Sequence, residues 1–198
     1  MVLKSYYPSF NVMDEEDEWD DHTQTIVNNR IDASPKHNEL SKQEASLLYV
    51  ICSLLMNEEK PAVLRFVLHH FDKTLQSSPR EGQRKVGVPD GKILIHQGLQ
   101  ALDQCARDTY AASFMELKSD DQLKLLEAVS VGTAMPHSAW DGIPQQPFFQ
   151  KLMNMTIESY CSHPEVWSEI GYAGPAYPRG YVRTQLGQLD PWEAKPES

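Results

Sequence analysis

Three adjacent residues near the C-terminus, Cys161, Ser162 and His163, are of the types that carry out nucleophilic catalysis. A nucleophile and its base must lie within hydrogen-bond reach of each other. Residues one or two positions apart on a helix point in different directions, so adjacency in sequence does not favour such a pair. Pro164 also disfavours helical geometry at His163. We therefore interpret these residues as a corner between two helices, with no catalytic residue among them.

The residues on both sides of this corner predict a short second helix, "PEVWSEI". Proline is well tolerated in the first turn of a helix, where its missing N–H has no helical partner, and this favours Pro164 as the start. The helix dipole favours an acid in the same turn, and Glu165 supplies it. Gly171 is expected to end the helix in a left-handed conformation.

The histidines and cysteines do not form a recognisable metal motif. His69 and His70 are neighbours on a predicted helix and diverge by about 100°, so they cannot share a ligand. None of the seven histidines follows a glutamate by three residues, as a helical di-iron site requires, and HExxH is absent. The three widely spaced cysteines fit neither a CxxC metal site nor a disulfide scaffold. Phosphate-binding glycine motifs are also absent, so the sequence predicts no metal or cofactor site in this chain.

Apolar residues recur at helical spacing and strand-like alternation is nearly absent, so the sequence predicts an all-α fold. We expect a bundle of about five helices. The pairs Ser41/Glu44 and Ser119/Gln122 have capping-box spacing and mark two of the helix starts. The predicted helices begin near Ser41, Pro61, Lys92, Asp120 and Pro147, and the third of them is expected to reach Leu117.

The chain divides into a polar acidic N-terminal arm (1–38), a helical domain (39–182) and a C-terminal tail (183–198). The stretch 13–21, "MDEEDEWDD", holds seven acids and no base, which is typical of a disordered, solvated segment. A long loop is predicted at 76–91, because two prolines and three glycines interrupt the helical pattern there.

The net charge of −10 argues against nucleic-acid binding, because phosphate contacts need a basic face. There is no run of about 18 apolar residues, so direct membrane insertion is not expected. We find no signal peptide and no twin-arginine motif. The sequence therefore predicts a cytoplasmic location, with export alongside a partner as the alternative.

The segment 171–181, "GYAGPAYPRGY", can be neither a helix nor a central strand, because Pro175 and Pro178 interrupt both. Its tyrosines either pack back on the bundle or project towards a partner, and composition favours both readings equally. The candidate interface residues of this C-terminal region are Tyr160, His163, Trp167, Tyr172, Pro175, Tyr177 and Tyr181.

The stretch 148–181, "FFQKLMNMTIESYCSHPEVWSEIGYAGPAYPRGY", resembles the gluconate 2-dehydrogenase subunit 3 family. Members of this family are the small subunits of membrane-associated flavin dehydrogenases for sugars and sugar acids. The helical body from about Leu40 is also similar to the family. The residues that carry the C-terminal resemblance are Phe149, Thr156, Tyr160, Ser162, His163, Pro164, Trp167, Ile170, Gly171, Tyr172, Gly174 and Pro175.

The resemblance implies a noncatalytic accessory subunit, which binds, stabilises or helps mature a large flavoprotein of the glucose-methanol-choline (GMC) type. It places FAD in that large subunit and haem c in a cytochrome c subunit, and no cofactor in this chain. The alternative is a standalone helical scaffold, such as a self-associating stress or spore protein. An independent enzyme would require a pocket in which His163 or His137 meets carboxylates.

Overall fold

The computed structural model describes residues 5–32, 37–77 and 86–197, and every regular element in these ranges is a helix. The predicted all-α class is therefore confirmed. The α-helices are α1 (Asp21–Ile31), α2 (Lys42–Met56), α3 (Pro61–Ser77), α4 (Gly91–Tyr110), α5 (Ser119–Val131), α6 (Gln145–Tyr160) and α7 (Pro164–Ile170). Three short 3-10 helices are Val12–Glu18, Phe114–Glu116 and His137–Trp140.

Helices α2 to α6 correspond to the five predicted helices, and α7 is the predicted short helix "PEVWSEI" with the same bounds. Helix α1 was not predicted, so the structure exceeds the expected count. Residues 171–197 contain neither a helix nor a strand. Half of the predicted loop at 76–91, residues 78–85, lies outside the described residues.

The start of α2 shows the predicted capping box. The Ser41 hydroxyl accepts a hydrogen bond from the Glu44 N–H (3.2 Å), and the Glu44 carboxylate accepts one from the Ser41 N–H (2.9 Å). Asp72 on α3 is buried and fixes the chain just before this cap. Its carboxylate accepts hydrogen bonds from the backbone N–H groups of residues 38–40 at 2.8–3.0 Å. Burial raises the pKa of Asp72, but these hydrogen bonds outweigh burial and hold it below the ordinary value.

The helix predicted from Lys92 to Leu117 is shorter than expected. Helix α4 ends at Tyr110, because Ala111 takes a left-handed conformation (φ 56°) that helical periodicity does not reveal. A 3-10 helix follows, and Ser113 and Glu116 form a capping box at its start.

The predicted capping box between Ser119 and Gln122 is wrong. Lys118 occupies the N-cap position of α5, and its side chain makes no capping hydrogen bond. Gln122 is buried, and its side-chain amide donates to the carbonyl oxygen of Phe114 (2.8 Å). The buried Gln122 side chain thus forms its hydrogen bond with a residue eight positions earlier in the chain and does not cap its own helix.

The five helices α2 to α6 together form the main hydrophobic core, and α6 packs against the other four. Phe148 on α6 is fully buried, and its ring lies directly against the backbone of α4 at Gly98. A Cβ atom at Gly98 would overlap this ring, so only glycine permits the close approach of the two helices.

The acidic N-terminal arm differs most from its prediction, because its described part is ordered and packed. We use "the arm" for residues 5–32, which form the first 3-10 helix and α1. Val12, Trp19 and Val27 are buried, and they form a second hydrophobic cluster with Trp167 of α7. The acids lie mostly on the outward faces of these short helices. The predicted disorder is therefore wrong for this part. Like charges dominate the composition of the segment, so the few apolar side chains that make it fold are hard to recognise in the sequence.

Across the described parts of the chain, no helix combines the length and apolarity that crossing a bilayer demands.

Candidate partner interface

The corner between α6 and α7 has the predicted geometry. His163 is the N-cap of α7, and its Nδ1 accepts a hydrogen bond from the Glu165 N–H (3.2 Å). Pro164 occupies the first turn, and Gly171 ends the helix with φ 73°. The Cys161 side chain is exposed, and the Ser162 hydroxyl donates to the carbonyl oxygen of Glu158 in the last turn of α6 (2.7 Å). The three side chains that could suggest a nucleophile and base therefore have separate surroundings.

His163 is fully buried and is not available to a partner surface. Because Nδ1 accepts a hydrogen bond, the neutral ring carries its proton on Nε2, which is buried without a hydrogen-bond partner. The Phe66 ring lies against it, with ring centroids 5.4 Å apart. Burial lowers the pKa of His163 to about 4, with the positive charge of Lys60 adding to the effect and Glu58 opposing it. His163 is therefore an uncharged, interior capping residue.

Trp167 also lies in the interior, at 5% exposure. Its indole N–H donates to the carbonyl oxygen of Cys161 (2.7 Å), and the Arg30 guanidinium lies 5.2 Å from the ring centroid. The Tyr172 ring meets it edge-on, with centroids 5.4 Å apart. Trp167 thus anchors the arm to α7, and its side chain packs within the chain.

Tyr160 and Pro175 are half-buried, so each offers only part of its surface to another protein. The Tyr160 hydroxyl lies 3.4 Å from a carboxylate oxygen of Glu58. Burial raises the pKa of Tyr160 to about 12, and the neighbouring Glu58 charge adds to the rise. The hydroxyl therefore stays protonated at every physiological pH.

Three of the predicted interface residues are exposed: Tyr172 at 43%, Tyr177 at 68% and Tyr181 at 62%. All belong to residues 171–197, which we call the C-terminal segment. The same segment exposes further large apolar side chains at Val182, Leu186 and Leu189. A concentration of exposed apolar and aromatic groups on one short segment is typical of a protein-binding surface.

Two charged residues that sequence reasoning missed hold the C-terminal segment in shape. Asp190 is buried, and its carboxylate accepts hydrogen bonds from the N–H groups of Val182 (2.8 Å) and Arg183 (2.7 Å). Arg179 donates to the carbonyl oxygen of Ala173 and lies 4.8 Å from the centroid of the Trp192 ring. Neither residue belongs to a periodic pattern, so the sequence carries no signal for these roles.

The arm contacts the C-terminal segment at several separate points. The Tyr7 ring lies where a side chain at Gly171 would have to be, with only 2.6 Å to a Cβ built there. The Trp19 ring does the same at Gly174, at 2.7 Å. At the far end, the Glu197 N–H donates to the carbonyl oxygen of Tyr6 (2.8 Å). The two termini of the described chain are thus packed together over α7.

At His163 the described residues form no pocket in which this side chain meets carboxylates, as an independent enzyme would require. His163 is enclosed as described above. His137 and Asp141 are both exposed on an open groove of about 490 Å³ beside the start of α6, with Gln145 and Gln146 as its further polar walls. In the ranges that the structure covers, no three His, Cys, Asp or Glu side chains are grouped so that they could hold a metal ion.

The fold and its surface define an all-α protein in which an irregular C-terminal segment carries three exposed tyrosines. The family described as gluconate 2-dehydrogenase subunit 3 matches residues 42–174, which is well over half of the chain. The chain belongs to this family, as the sequence motif implied. No curated protein and no solved structure matches it. The family match starts at the first residue of α2 and ends at Gly174, so it leaves out the arm and the most exposed tyrosines.

Proposed function

We propose that this chain is a noncatalytic small subunit that binds a large GMC-type flavoprotein and stabilises it or helps it mature. The flavoprotein would be a dehydrogenase of sugars or of gluconate. Membership of the gluconate 2-dehydrogenase subunit 3 family supports the role of a subunit. The observation that carries the proposal is the exposure of Tyr172, Tyr177 and Tyr181 on a segment whose backbone is held in place.

Exposed tyrosines on a restrained backbone are well suited to such a contact. A tyrosine offers a large apolar ring and a polar tip, and it has few side-chain torsions to lose on binding. The backbone that carries these rings is already restrained by Asp190 and Arg179. Binding therefore needs little further ordering of this surface, and most of the contact energy remains available as affinity.

FAD and haem c would lie in partner subunits, the large flavoprotein and a cytochrome c chain. This chain would contribute by binding the folded flavoprotein and thereby shifting the folding equilibrium of that subunit towards the folded state. A protein that binds only the folded form of the flavoprotein stabilises it by about 2.7 kcal/mol at a concentration of 100 times Kd. That gain would raise the folded, flavin-loaded fraction of a marginally stable large subunit.

The test is co-expression with a large GMC-type flavoprotein subunit, followed by size-exclusion chromatography and flavin absorbance. We expect one complex, and we expect the double variant Tyr177→Ala/Tyr181→Ala to weaken it at least tenfold, about 1.4 kcal/mol. The melting temperature of the free variant should stay close to that of the unmodified chain, because both rings are exposed.

Tyr110→Ala is the matched control, because Tyr110 is exposed at the end of α4 and away from the C-terminal segment. It should bind as the unmodified chain does. The proposal fails if the flavoprotein folds, loads flavin and works equally well alone. A defined homo-oligomer that recovers no flavoprotein would instead support the standalone scaffold.

A further inference from the structure

We propose that the arm, residues 5–32, positions the tyrosine-bearing C-terminal segment, so that partner binding depends on residues outside the family match. The inference rests on the proposed function for its binding consequence. Its structural part, the hold of the arm on the C-terminal segment, is independent of any partner. Trp19 and Glu15 are the positioning residues in the arm.

The first contact is steric and lies at Gly174, where the C-terminal segment passes the second hydrophobic cluster. Gly174 has φ 80°, and the Trp19 ring occupies the space next to its Cα. Val12 approaches the same position, at 3.2 Å from a Cβ built there. The segment therefore leaves α7 over a surface that the arm itself provides.

The second contact is electrostatic and lies between two of the exposed tyrosines. Arg179 falls between Tyr177 and Tyr181 in sequence, yet its side chain is only 5% exposed. Its Nη1 lies 3.4 Å from a carboxylate oxygen of Glu15 in the arm. The Arg179 end of this ion pair is buried and the Glu15 end is partly exposed, so removing Glu15 leaves the buried charge of Arg179 less well compensated. Glu15 therefore makes it favourable for Arg179 to stay inside and for the tyrosines on both sides to stay outside.

The third contact closes the far end of the segment. The Glu197 carboxylate accepts hydrogen bonds from the N–H and the hydroxyl of Ser9, and the Glu197 N–H donates to the Tyr6 carbonyl. The arm thus meets the C-terminal segment at Gly174, at Arg179 and at Glu197. These contacts restrain the first part of the segment and its far end.

The arm belongs to a cluster that is separate from the main core. Trp19 packs with Val12, Val27 and Trp167, whereas the core of α2 to α6 shares none of these residues. A change at Trp19 can therefore loosen the arm and the C-terminal segment while the bundle stays folded. This separation makes the proposal testable in the free protein.

The test compares Trp19→Ala with Trp19→Phe and with the control Ile26→Ala, a truncation of an exposed apolar residue on α1. Hydrogen exchange is measured at the backbone amides of Val182 and Arg183, which donate to Asp190. We expect Trp19→Ala to speed their exchange at least tenfold, because local opening of the segment becomes easier. Trp19→Phe should restore most of the protection, and Ile26→Ala should behave as the unmodified chain does. Amides in the middle of α3 and α6 should keep their protection in every variant.

The binding arm of the test uses the large flavoprotein subunit as the probe. Trp19→Ala and Glu15→Gln should each weaken the complex, although neither residue belongs to the exposed tyrosine surface. The inference is overturned if Trp19→Ala leaves the exchange of Val182 and Arg183 unchanged, or if exchange rises while affinity for the flavoprotein stays constant. If the unmodified chain binds no flavoprotein, the proposed function fails, and the exchange result alone then decides whether the arm holds the segment.

Discussion

The buried capping residue His163 makes acid sensitivity a direct consequence of the corner between α6 and α7. In the folded chain its pKa is about 4, against an ordinary value of 6.5. Between these two values the unfolded chain binds a proton at this position and the folded chain does not. Stability from this group is therefore complete above pH 6.5 and is lost as the pH falls towards 4. The loss amounts to about 1.4 kcal/mol per pH unit, or about 3 kcal/mol over the window.

The variant His163→Asn separates this effect from other titrations. Asparagine is a strong N-cap residue and can accept the hydrogen bond from the Glu165 N–H, but it does not titrate in this range. It is smaller than histidine, so the variant should be less stable at pH 7.5. The informative quantity is the slope of stability against pH, which the smaller side chain does not alter.

The assay is urea denaturation at several pH values between 7.5 and 5. We expect the unmodified chain to lose about 1.4 kcal/mol more per pH unit than His163→Asn below pH 6.5. His70, whose pKa burial also lowers, is present in both proteins and cancels in the comparison. The charges that face His163, those of Lys60, Glu58 and Arg30, cancel in the same way. Parallel pH profiles for the two proteins would refute the reasoning.

Three further substitutions probe the packing. Gly98→Ala should lower the free energy of unfolding by about 1–3 kcal/mol in urea titrations, because the added methyl group overlaps the Phe148 ring; an unchanged value would mean that the helices separate freely. Asp72→Ala should cost about 3 kcal/mol by the same measurement, since it leaves several backbone N–H groups unpaired, and a loss below 0.5 kcal/mol would contradict their burial. Trp167→Ala should lower the melting temperature of the free chain, because truncating a buried tryptophan costs about 3–5 kcal/mol of folding stability. An unchanged melting temperature would contradict its interior position and would favour the earlier prediction that it contacts a partner.

Local signals predicted the corner and several helix starts well. Pro164 and Gly171 define α7 at both ends, and Ser41 with Glu44 defines the start of α2. These devices act within one helical turn, so a single stretch of sequence contains all the information. Ala111 shows the limit of such signals, because an alanine in the left-handed region depends on what packs around it.

The fold of the arm and the burial of the C-terminal aromatic rings depend on contacts between residues that are far apart in the sequence. Local sequence patterns therefore could not predict them. Trp19 is buried only because α7 and Gly174 meet it, and the acids around it in sequence point to disorder when taken alone. The same holds for the aromatic residues near the C-terminus. Composition could not separate Trp167, which packs inside, from Tyr177 and Tyr181, which lie outside. The arm packs against Trp167 through Trp19 and Arg30, and it leaves Tyr177 and Tyr181 exposed.

The pairing of the two termini has a consequence for the order in which the molecule forms. The Val12 N–H donates to the hydroxyl of Ser168, 156 residues later in the chain, so the arm leaves the ribosome long before its binding site exists. The bundle of α2 to α6 can fold first, since domains form as their segments emerge. Until α7 follows, Trp19 stays without its partner Trp167. The seven acids at 13–21 give the undocked arm a high negative charge, and repulsion between such charged chains opposes their aggregation. We therefore expect the charge block, whose composition resembles that of a disordered segment, to keep the arm soluble until it docks.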